Sequence, residues 1–218
     1  MTVMKIYHYT KSNRLNSIFE DGFIATEMKR TVSREPKNTD YVWLTEKQTY
    51  PKTALPMFSM FPELSLMTHM RNKGIHVDLD KIGAVIGKFY RFGFDSTDAR
   101  FTKWFHSKER TVARCTNQWI TMESIANKVG DDIRSFWIAT EDLPLENFSL
   151  EVFDGGWKLL LEGASVSKLN AENLKTINNL MGESIGWCEE YGIPASHKAP
   201  AEKIVAKLIQ QLSASFHH

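Results

Sequence analysis

Arg91 interrupts an apolar run, Phe89-Tyr90-Arg91-Phe92. A guanidinium in such a strand must reach a partner or snorkel to solvent. Two readings fit it: a clamp on a pyrophosphate or carboxylate, or an ordinary surface ion pair. His8 lies in a second such run, Tyr7-His8-Tyr9-Thr10, where an imidazole serves either the fold's hydrogen bonds or a ligand. Tyr41 and Trp43 alternate along Tyr41-Val42-Trp43-Leu44-Thr45 and either fill a sheet face or meet a ligand. Glu141 and Glu151 are carboxylates that are either solvated or functional, and Glu46 follows the Tyr41 run directly. His76 with Asp78, and His106 with Glu109, have spacings that suit a metal. Neither has an evident third ligand, so no metal is expected.

These residues must be held by strands. Met4 to Thr10 is β-branched and aromatic and reads as a first strand. Leu15, Ile18 and Phe19 follow at helical spacing, with Ser12 as the expected N-cap and Gly22 as the stop. Tyr41 to Thr45 is a second strand, apolar enough to be covered on both faces. Further strands are expected at 75–78, 85–94, 135–140, 148–153 and 157–161, with a helix over 96–107. The stretch 117–129 fits strand or helix equally. Two helical patterns close the chain, at 171–191 and 200–212. The reading is an α+β chain with a strand-rich core, 1–162, and a C-terminal helical extension packed on it, 163–218.

The bulk numbers set bounds. A chain of 218 residues with 42% hydrophobic and 24% charged residues can bury a core. A net charge of +1 gives no overall field to attract a polyanion. Local clusters such as Lys29-Arg30 or Arg110 with Arg114 remain open as phosphate contacts or solvated surface. The two cysteines, Cys115 and Cys188, are far apart and read as free thiols in a reducing compartment. The opening residues are too short and polar for a secretory core, and no apolar run is long enough to span a membrane. A cytoplasmic protein with no membrane partner is expected. The closing Phe216-His217-His218 matches the remnant of a purification tag, and those histidines are left out of every site.

The two aromatic strands carry a resemblance. Tyr7-His8-Tyr9-Thr10, the segment Asp21-Gly22-Phe23-Ile24 and Tyr41-Val42-Trp43-Leu44-Thr45 together resemble the ADP-ribosyltransferase superfamily. The likeness is to its His/Tyr branch, which holds the poly(ADP-ribose) polymerases and the nucleic-acid-modifying toxin transferases of bacteria and phages. It covers about the first 55 residues. It implies a split, mixed or antiparallel β-sheet with flanking helices, and NAD as the substrate. His8 would hydrogen-bond a ribose hydroxyl. Tyr9, Thr10, Trp43, Thr45 and Arg91 would help hold the dinucleotide, and Tyr9, Tyr41 or Trp43 would stack on nicotinamide. His8 and Tyr41 would belong to the catalytic set, with a carboxylate to stabilise the sugar cation. The family's carboxylate position falls on or near Ser135, or on Gln118, so the expected glutamate is absent. Glu151 and Glu141 are the substitutes, with Glu46 a third.

Three functions follow as expectations. The first is an NAD-dependent mono-ADP-ribosyltransferase of toxin or phage-effector type, with a protein or nucleic-acid acceptor. The second is a catalytically altered module of that fold that binds a nucleotide or a protein. The third is an interaction protein, such as a phage-encoded inhibitor, that docks through its helical extension.

Overall fold

A computed structural model of the chain describes residues 4–26, 41–49, 88–115, 123, 126–127 and 130–190. The expected strand at 75–78, the helix at 200–212 and the His76/Asp78 pair lie outside these residues, as do Lys29, Arg30 and Gln118. The fold is α+β and mostly sheet, with antiparallel strands and helices.

Strand β1 (Lys5–Lys11) runs into helix α1 (Ser12–Asp21), a two-residue strand β2 (Phe23–Ile24) and strand β3 (Val42–Thr45). After β4 (Phe89–Asp95) come β5 (Thr102–Lys103), a 3-10 turn (Trp104–His106) and helix α2 (Lys108–Cys115). The chain then forms β6 (Phe136–Ala139), β7 (Leu143–Pro144), β8 (Phe148–Phe153), β9 (Trp157–Ala164) and helix α3 (Ala171–Glu190). Among the described residues seven strands make one sheet in the order β5-β6-β3-β1-β4-β8-β9, and β2 pairs with β7 in a small second ladder.

Side chains alternate between faces along a strand, and directly paired residues share a face. Ile6 opposite Phe94, and Phe92 opposite Leu150, therefore lie on one side. With Val42, Leu44 and Phe148 they form the main core under α1, which contributes Leu15, Ile18 and Phe19, and under α3, which contributes Ile177 and Leu180. The other side has two parts. Tyr41, Trp43, Trp104, Phe136 and Ile138 pack over β3 and β6. Tyr7, Tyr9, Arg91, Glu151 and Trp157 gather over β1, β4, β8 and β9.

The two halves of the sheet meet where β1 lies beside β3. Between β1 and β4 seven pairs run from Lys5↔Asp95 to Lys11↔Phe89. β1 and β3 are bridged at Tyr7↔Thr45.

Two expectations are corrected. Ser12 is not the N-cap: Lys11 holds that position, and no side chain caps the helix. The Ser12 hydroxyl is committed to Lys88, donating to its carbonyl at 3.3 Å and accepting from its N–H at 3.0 Å. The helix expected over 96–107 is instead turns, β5 and a 3-10 turn. Asp95 accepts from the Thr97 N–H and Asp98 from the Arg100 N–H, both at 2.9 Å, and such local bonds compete with a helix. Gly22 does stop α1, at φ 73°, with its N–H on the Ile18 carbonyl at 3.0 Å.

Gly93 shows how closely the sheet packs. A Cβ built there would lie 2.5 Å from Ser149 Oγ and 3.0 Å from Tyr7 Cε1. Gly93→Ala should cost ~1–3 kcal/mol of stability by overpacking, read as a lower urea midpoint. Adding Ser149→Gly should recover part of the loss, because the Tyr7 ring remains close.

Candidate functional site

Side chains add to the bridge between β1 and β3. The His8 Nδ1–H donates to the Trp43 carbonyl at 3.0 Å, which fixes the proton-bearing nitrogen. The Tyr9 hydroxyl, one residue on and pointing to the opposite face, meets the carbonyls of Lys47 at 2.6 Å and Thr49 at 3.0 Å. Arg91 Nη1 donates to the Gln48 carbonyl between them at 2.5 Å. Three successive carbonyls of the segment after β3 thus turn towards the sheet and are held there.

Arg91 is the centre of this arrangement. Its Nε and Nη2 donate to Glu151 Oε2 at 3.1 and 2.5 Å, from the paired position on β8. Its guanidinium carbon lies 4.0 Å from the Tyr7 ring centroid and 4.3 Å from that of Trp157. The two charged side chains are 6% and 12% exposed, so neither is screened by water. Arg91 thus makes an ion pair with the chain's own Glu151, and that pair is buried rather than on the surface.

His8 and Trp43 do not share a face. Tyr7 pairs with Thr45, so Tyr7, Tyr9, Trp43, Thr45 and Tyr41 lie on one side. His8 pairs with Phe92 and Thr10 with Tyr90, on the side of the main core. A joint grip on one ligand by the imidazole and the indole is thus not the geometry. They meet only through the Trp43 backbone. Tyr41 and Trp43 pack edge-on at 6.0 Å, and Trp43 lies 4.8 Å from Trp104, so these rings build the second core.

The carboxylates are largely engaged. Glu151 holds Arg91. Glu46 accepts from Lys103 at 2.6 Å and from Trp137 at 2.8 Å. Glu141 stands exposed on the turn between β6 and β7. Ser135, where the family resemblance expects the acid, has its hydroxyl 3.1 Å from that of Thr45 and donates to the Asp132 carbonyl at 2.7 Å. Glu123 escaped the sequence reading. It is 3% exposed and takes Trp104 Nε1 at 2.8 Å and Arg110 Nε at 2.6 Å. Arg110 is therefore committed within the fold. Buried Asp131, also missed, holds Lys47 at 2.8 Å. Among the described residues no three His, Cys, Asp or Glu side chains cluster as metal ligands, and no helix is long and apolar enough to cross a membrane.

Burial shifts several groups near the sheet, Lys11, Tyr9 and Tyr90 most strongly. The Lys11 ammonium is pushed down to about 7 by desolvation, with the Arg14 charge adding to it. The Tyr9 hydroxyl is pushed up to about 12 by desolvation, against the opposing bond from Arg91. Tyr90 is raised to about 12, again by desolvation.

Removing one partner of the central pair, as in Glu151→Ala, should cost ~3–5 kcal/mol, because it strands a buried guanidinium. The pair replacement Arg91→Met with Glu151→Leu should cost clearly less in the same urea titration. The pH dependence has a definite sign. Lys11 in the unfolded chain, with its ordinary value of 10.5, holds a proton that the folded chain has lost above about 7. Stability should therefore rise with pH across that window, and Lys11→Met should flatten the rise between pH 7 and 9. Tyr9 and Tyr90 act oppositely, and their contribution should fall away as pH climbs from 10 towards 12. No protein-family model matches the chain, and neither a curated protein nor a solved structure matches it.

Proposed function

We propose that the chain is a catalytically altered module of ADP-ribosyltransferase type, one that binds a nucleotide such as NAD or ADP-ribose without turning it over. The observation that carries the reading is a strand pairing: β1 and β3, the two strands bearing the family-like residues, are antiparallel neighbours bridged at Tyr7↔Thr45. That pairing suits the antiparallel sheet the resemblance implies. The alteration rests on the carboxylates: Glu151 and Glu46 are engaged within the fold, and a hydroxyl stands at Ser135. A sugar cation forming beside these strands would find both of those carboxylates already paired.

The transferase reading, mono-ADP-ribosylation of a protein or nucleic acid by a toxin or phage effector, has the neighbouring strands in its favour and the opposite facing of His8 and Trp43 against it. It needs a carboxylate that the fold has not already engaged. Glu141 is exposed and is the one such candidate proposed from the sequence.

Titration calorimetry with NAD and with ADP-ribose, alongside an assay for released nicotinamide, separates the two. Binding of at least one ligand with no nicotinamide above the buffer rate is expected. His8→Ala should weaken that binding about tenfold, through loss of the bond to the Trp43 carbonyl that ties β1 to β3. Turnover that disappears in Glu141→Gln would instead establish the transferase. Binding of neither ligand would remove both readings.

A further inference from the structure

Helix α3 covers the open side of α1, and its attachment is unlike the rest of the core. Along its residues 171–186 only Ile177, Leu180 and Ser184 are buried, a narrow stripe at helical spacing. One of the three is polar. The Ser184 hydroxyl donates to the Ser12 carbonyl of α1. Asn16, one turn further along the same face of α1, is 2% exposed, and its Oδ1 has no hydrogen-bond partner. Tyr90, on β4, is fully buried, and its hydroxyl bonds the Ser12 side chain. The seam is thus rich in polar groups, and the unsatisfied Asn16 Oδ1 weakens it relative to apolar packing. Its outer tie, Lys88 to Glu183 at 2.7 Å, joins side chains 58% and 54% exposed, and such pairs contribute little.

The helix itself is poorly built to stand without that seam. Asn173, Thr176, Asn178 and Asn179 are weak helix formers, and Gly182 and Gly186 are weaker still. Neither glycine is required by the fold. A Cβ built on either meets nothing within 4 Å, and neither backbone is in the left-handed region. Leu174 and Ile185 spend their apolar surface on solvent, at 48% and 39% exposure. By contrast every residue of β4 from Phe89 to Phe94 is buried.

We infer that α3 is a releasable clamp: it undocks from α1 as a unit while the seven-stranded sheet stays folded, and its release uncovers Ser12, Asn16 and the outer face of α1. Weak propensity, a narrow stripe and a partly unsatisfied polar seam all lower the free energy of this opening below that of the whole domain.

Native-state hydrogen exchange on the full chain, at a series of low urea concentrations, tests it. The amides of Ile177 to Gly186 should be at least tenfold less protected than those of Phe92 and Leu150, with a weaker urea dependence. Gly182→Ala with Gly186→Ala should raise α3 protection several-fold and leave β4 protection unchanged. Equal protection of α3 and β4, or alanine substitutions that raise both together, would overturn the clamp.

Discussion

A guanidinium buried in the middle of a sheet has few ways to be tolerated, and Arg91 uses several at once. Desolvating a charge costs several kcal/mol unless its donors are met. Glu151 meets two of them from the paired position on β8, the Gln48 carbonyl meets another, and the rings of Tyr7 and Trp157 flank the cation. Each of these partners comes from a different part of the chain. One side chain thereby holds the β4–β8 register, the face of β1 and the segment leaving β3. A slip of one residue in either strand would turn Arg91 away from Glu151 and leave both charges unpaired.

The same residues tie the two halves of the sheet together. β1 and β3 are bridged at Tyr7↔Thr45, and side chains add to that bridge, His8 on one face and Tyr9 with Arg91 on the other. The residues most suggestive of catalysis in the sequence are thus also those that tie β1 to β3. A ligand bound there would meet side chains already employed, and its affinity would be tied to the stability of that junction.

Much of the framework was legible in the sequence. The β-branched and aromatic runs that became β1, β3, β6 and β8 have short-range signatures, and Gly22 ended α1 where the pattern stopped. The helix misread over 96–107 had a visible counter-signal, since Asp95 and Asp98 each sit two residues before the N–H they accept. The two-residue ladder of β2 and β7 is too short to leave a pattern. What the sequence could not reveal was partnership. Arg91 and Glu151 were both singled out, but as unrelated candidates, because 60 residues separate them and only the register joins them. Glu123 and Asp131 gave no signal at all, since a carboxylate's burial is set by neighbours that arrive from elsewhere in the fold.

Facing direction is the sharper lesson. A strand motif is a list of residue types, but its chemistry depends on parity. His8 and Tyr9 are adjacent in sequence and lie on opposite sides of a sheet, and the pair Tyr7↔Thr45 sends Trp43 to the side of Tyr9. Had that bridge formed one residue over, His8 and Trp43 would have shared a face and the proposed grip on a dinucleotide would have been geometrically open. The alternative is strongly disfavoured: it would bury Thr45 and Trp43 in the main core and bring Val42 and Leu44 out of it. The hydrophobic pattern of β3 therefore decides which side of the sheet each candidate residue serves, before any ligand is considered.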